Sequence, residues 1–178
     1  MNKDKLFSVL IMIPPLTLLL IPFFIWYQNI GNIFPYFSNQ VPQGQLPYVL
    51  SKLSGLYALL FITLQMASGL LTHKFSHEFH QRLGLLTSIT IITHILLFVC
   101  AVSLRSGFID IHFLVPQLSL EYYKLGISFG AIALWCLVVV IYSGLKRLKE
   151  QKIWKYIHLL SFFAMLLIIT HSVWIGSE

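Results

Sequence analysis

Residues 83–104 read LGLLTSITIITHILLFVCAVSL, a run without one Asp, Glu, Lys or Arg. About 20 apolar residues at ~1.5 Å per residue cross a hydrocarbon core of ~30 Å. Four more charge-free runs lie at 6–27, 53–71, 125–145 and 156–175. Membrane strands would alternate apolar and polar residues, and these runs do not. The expectation is an all-α, polytopic membrane helix bundle of five transmembrane helices, one transmembrane domain over 1–178. Lys3 and Lys5 precede the first run as they would a signal peptide. That run is long and holds Pro14 and Pro15, and no small-residue cleavage site follows, so it reads as a span.

Composition agrees. Of the 178 residues, 57% are hydrophobic and 10% charged, against roughly 25% charged in soluble domains. So few charges exclude an ordinary cytosolic enzyme, a disordered tail and a disulfide scaffold. The net charge of +6 then reads as membrane topology rather than nucleic-acid binding, and no nucleic acid is expected as partner. Cys100 and Cys136 fall inside apolar runs and read as small buried hydrophobes.

The charges between the runs set orientation. Lys3 and Lys5 precede the first run, and Lys74 and Arg82 flank the second connection. Lys146, Arg147, Lys149, Lys152 and Lys155 crowd the fourth. The first connection is polar and has no Lys or Arg before Lys52; the third, with Arg105, Asp110, Glu121 and Lys124, is mixed. Positive-inside logic places the N-terminus and the second and fourth connections in the cytoplasm. The third and fifth helices then run parallel, from inside to outside, in a multi-pass protein of an inner or plasma membrane. Membrane lipid is the first partner. Trp26, Tyr27, Trp154, Tyr156 and Trp174 sit at run ends, where aromatic rings anchor at headgroups.

Of seven histidines, His94 and His171 lie well inside the third and fifth runs. His80 and His158 lie near the cytoplasmic ends of the same runs, fourteen and thirteen residues away respectively. An ionisable group in a membrane helix marks function by default. Imidazoles at two matched depths suit two stacked haems, the inner on His80 and His158, the outer on His94 and His171. A fourteen-residue step returns within ~40° of its starting face, whereas thirteen miss by ~140°. The fifth helix therefore needs a bend, a bulge or a frayed start. The other readings are a haem-free transporter or assembly factor using intramembrane His, and a haem subunit of a larger respiratory complex. His73, His77 and His80, with Glu78, also suggest a zinc cluster at the membrane edge.

The segments Gly55-Leu-Tyr-Ala-Leu-Leu with Gln65, His80-Gln-Arg-Leu-Gly84-Leu, His94, and His158-Leu-Leu with His171 resemble the ferric reductase-like transmembrane domain. That superfamily includes metal reductases, NADPH oxidases and the haem-binding subunit of the bacterial methionine-sulfoxide reductase system. The resemblance covers residues 52–174. It implies one or two b-type haems, with His80, His94, His158 and His171 as axial iron ligands. It implies electron transfer from a cytoplasmic flavin donor or quinone to an outer acceptor or partner reductase. Gly84 would admit a flat macrocycle, and Arg82 and Lys155 would pair with haem propionates. Many members have six helices and a flavin- and NAD(P)H-binding domain. Five helices are expected here, and no Gly-rich dinucleotide fingerprint follows a strand. The expected oxidoreductase subunit is therefore not self-sufficient and takes electrons from a separate flavin reductase or quinone.

Overall fold

The structure is a computed structural model that describes residues 3–38, 40–71, 77–117, 119–146 and 151–175. Side chains are described from Thr17 on, apart from those of 145, 146, 151 and 152. Five α-helices account for nearly all of it: α1 (Lys3–Ile30), α2 (Gln45–Leu70), α3 (His77–Ser106), α4 (Tyr122–Lys146) and α5 (Gln151–Ile175). Short 3-10 turns occur at Phe34–Phe37 and His112–Leu114. The all-α expectation holds, with no strand among the described residues.

Four helices are long and apolar enough to cross a membrane: α2, α3, Tyr122–Gly144 of α4 and Ile153–Ile175 of α5. The described apolar part of α1, Thr17–Ile30, is shorter than a span. The rest of the expected first span lies outside the described side chains.

Every helix is longer than its charge-free stretch. The largest displacement of an end is in α2, which starts at Gln45 rather than at 53. Residues 45–52, expected in the first polar connection, are thus helical. Charge marks the edge of hydrocarbon, but a helix stops only where its backbone is capped. Here Gly44 provides the stop, at φ 78° in the left-handed region.

Met1–Phe108 and Ile109–Glu178 form two compact units. In the first, α1, α2 and α3 pack in sequence as antiparallel neighbours. Trp26 Nε1 donates to Val49 O at 2.6 Å, and Tyr57 Oη donates to Leu19 O at 3.1 Å, tying α1 to α2. Trp26 is 7% exposed, so it pins helices together instead of anchoring at headgroups. Gly44 meets Ala101 at one end of the α2–α3 pair, and Gly69 meets His80 at the other. Arg105 Nη2 donates to Gln45 Oε1 at 2.7 Å and stacks over Tyr48, fastening the first of these ends.

In the second unit, α4 and α5 form an antiparallel hairpin. Gly126 lies against Ile175, and Tyr122 Oη donates to Trp174 O at 3.1 Å. The segment before α4 is strapped to it: Trp135 Nε1 donates to Leu114 O, and Gln117 N–H donates to Ser128 Oγ, both at 2.9 Å. Hydroxyl side chains in the spans donate to carbonyls three or four residues back, as Thr87 does to Leu83 O at 2.8 Å. That satisfies them without water. Cys100 and Cys136 are free thiols, and Cys100 is exposed on α3 rather than buried.

Gly44 generates a prediction. Gly44→Ala carries the left-handed backbone cost of roughly 1–2 kcal/mol and drives its Cβ into the Ala101 carbonyl oxygen. Gly31→Ala has the same backbone cost (φ 68°) with nothing among the described residues within 4 Å. Gly44→Ala should therefore lower the thermal unfolding midpoint in detergent more than Gly31→Ala. Equal losses would show that the Ala101 contact does not demand glycine.

Candidate functional site

The expected site residues fall on α3 of the first unit and α5 of the second. On α3, His94 is half-buried and its Nδ1 lies 2.8 Å from Ser51 O on α2. A carbonyl oxygen only accepts, so Nδ1 carries the proton. In the neutral ring the lone pair is then on Nε2, the nitrogen a metal would take. His80 is held in a related way. Its Nδ1 lies 2.9 Å from Ser68 Oγ, which donates its own proton to Gln65 O at 2.7 Å. Ser68 therefore accepts from Nδ1–H.

On α5, His171 repeats the arrangement of His94. Its Nδ1 donates to Gly126 O on α4 at 2.9 Å. His158 differs: its ring stacks on Trp154, with centroids 5.2 Å apart and planes 22° apart. It lies about two turns into α5, which is unbroken from Gln151 to Ile175. The frayed start offered for the thirteen-residue step is therefore not present.

Other expected residues take these positions. Arg82 is exposed and faces Glu78 at 3.9 Å, both side chains 81% exposed. Lys155 is exposed and lines a shallow concavity with Trp154, Tyr156, His158 and Leu159. Gly84 lies against Gln65 of α2: a Cβ there would stand 2.8 Å from Gln65 Nε2. Of the suggested zinc cluster, His73 lies outside the described residues, and His77 hydrogen-bonds Gln81 at 3.1 Å. Among the described residues no group of three or more His, Cys, Asp or Glu is placed to hold a metal ion. His112 pairs with Asp110 at 3.0 Å on the exposed third connection.

Sequence reasoning missed the residues that hold the rings: Ser51, Ser68 and Gly126 as acceptors, and the glycines beside them. A faint signal exists. Gly55 and Gly69 on α2 are fourteen residues apart, as are Gly130 and Gly144 on α4. The spacing equals that of His80 and His94 on α3.

By fold, then, the chain is a multi-pass all-α protein whose helical hairpins carry half-buried imidazoles. No family model, no curated protein and no solved structure matches it.

Ser68 is 3% exposed and accepts from the His80 ring at 2.9 Å. Ser68→Ala should cost about 1 kcal/mol of stability through loss of the buried hydroxyl that accepts from Nδ1–H. Ser88→Ala, which removes only a back-bond to Gly84 O at 2.8 Å, should cost less. Thermal unfolding of both variants in one detergent measures the difference.

Proposed function

We propose that the chain is a b-type haem electron-transfer subunit of a membrane oxidoreductase, of the ferric reductase-like kind. It passes electrons from a cytoplasmic flavin donor or quinone to an acceptor on the outer side, with His80, His94, His158 and His171 as axial iron ligands. The observation that carries this reading is the shared state of three of these rings. His80, His94 and His171 each have Nδ1 engaged by the preceding helix, which puts the lone pair on Nε2. Haem-ligating histidines need that tautomer and a fixed ring plane.

The donor set fits haem better than a bare ion. The rings are separated along their helices, whereas zinc wants three or four ligands converging on one point. Haem b between two imidazoles supplies one-electron redox chemistry with no open position for substrate at the iron. The chain's own contribution is to hold the rings, orient them and keep water from them with lipid-facing helices. Arg82 and Lys155, both exposed near the expected cytoplasmic end, supply positive charge for propionates or for an acidic donor protein.

An optical spectrum tests this. Protein purified from haem-replete cells should show a low-spin b-type signature on dithionite reduction. His94→Ala and His171→Ala should each remove the outer haem and leave the inner one. A preparation that neither contains haem nor takes up added hemin would overturn the reading.

A further inference from the structure

The two hairpins repeat one arrangement around their anchored histidines. Ser51 O accepts from His94 Nδ1, and Gly55 follows one turn later on α2; a Cβ there would stand 3.0 Å from that same Nδ1. Gly126 O accepts from His171 Nδ1, and Gly130 follows one turn later on α4; a Cβ there would stand 2.9 Å from both Nδ1 and Cε1. His80 takes a different seat: its Nδ1 donates to Ser68 Oγ at 2.9 Å, and a Cβ on the next residue, Gly69, would stand 3.3 Å from Cε1.

Helix geometry explains the spacing. The carbonyl of residue i spends one lone pair on the N–H of residue i+4 and keeps a second; at Ser51 the Ser54 hydroxyl also lies 2.9 Å from that oxygen, with Leu50 O as its other acceptor at 3.1 Å. The Cα–Cβ bond of residue i+4 tilts toward the N-terminus and lies over that carbonyl. An imidazole from a neighbouring helix reaches the second lone pair only where that Cβ is missing. Ordinary small-residue packing would also favour glycine here, but it would not place Gly55 and Gly130 each one turn after the atom that accepts from the ring.

We infer that Gly55 and Gly130 are positioning residues, each uncovering a helix carbonyl so that His94 or His171 docks through Nδ1 and directs Nε2 away from it. The inference rests on the haem reading only for what Nε2 meets; the docking of the rings stands apart from it. It also predicts an order. Alanine at 130 forces the ring off its acceptor, and alanine at 55 does so at the margin.

The test uses the full-length protein in lipid vesicles without haem, labelled with ¹⁵N-histidine and read by solid-state NMR at neutral pH. Signals are assigned with His94→Ala and His171→Ala. In the wild type, His94 and His171 should show a protonated, pyrrole-type Nδ1 and a pyridine-type Nε2. Gly130→Ala should abolish that pattern at His171 and leave it at His94, and Gly55→Ala should do the reverse. Gly144→Ala, with nothing among the described residues within 4 Å, should change neither.

A wild-type His171 protonated on Nε2, or a folded Gly130→Ala protein with the wild-type pattern, overturns the inference. If Gly130→Ala does not fold, as judged by helical circular dichroism and elution, the wild-type and Gly55→Ala spectra decide. Hemin titration of the same samples separates the two proposals. Loss of an anchoring contact should weaken binding at the affected site roughly 10–100-fold. A wild type that binds no hemin overturns the haem reading, while the tautomer shifts still support the seats.

Discussion

No water stands by in hydrocarbon to satisfy a polar group, so an imidazole on a membrane helix must find its partner on protein. The backbone of a neighbouring helix is the nearest supply, but its carbonyls are already bonded along the helix and shielded by side chains. The hairpins of this protein are arranged around that restriction. They offer backbone carbonyls at Ser51 and Gly126, and at Ser68 a hydroxyl that itself donates to Gln65 O. Lipid is as apolar as leucine, so apolar area alone does not choose which helices pair. Polar contacts and close backbone approach must do so. The most deeply buried residues fit this: Ala101 and Ala164 are 0% exposed, and Ser51, Ala133 and Ser143 are 1% exposed. Such small side chains let axes come close enough for a ring on one helix to touch the backbone of the next.

The helices were legible because charge scarcity is a direct record of hydrocarbon. The depth of His94 and His171 followed from the same runs. Helix ends were less legible, since a charge such as Lys52 ends the apolar stretch without ending the helix, and only Gly44 does that. Trp26 misled for a similar reason. Position at the end of a run suggests a headgroup anchor, yet Trp26 spends its N–H on Val49 O.

The ring seats were the least legible part. His94 is bonded to a carbonyl on Ser51, far back in the chain, and a backbone acceptor leaves no mark on side-chain identity. What remains visible is the glycine one turn further on. A lone membrane glycine reads as ordinary helix packing, and Gly84 does lie against Gln65 of the neighbouring helix. Attention to the histidines also directed the reading toward α3 and α5, whereas the ring partners are on α2 and α4.

One residue of spacing separates His158 from the other three rings. On the α2–α3 hairpin the glycines and the histidines share a fourteen-residue step. Two antiparallel helices rise equally per residue, so equal steps keep two rings over two seats. On α4 the glycines keep that step, and Ser143 donates to Val140 O at 2.7 Å just as Ser68 does to Gln65 O. On α5 the histidines are thirteen residues apart. With His171 seated, an unbroken helix carries His158 about 100° away from the position a fourteenth residue would occupy. The ring accordingly stacks on Trp154, one turn earlier on its own helix. Nothing among the described residues lies within 4 Å of a Cβ at Gly144. The second hairpin thus repeats the backbone features of the first at both levels, while its register lets it seat an imidazole at only one of them.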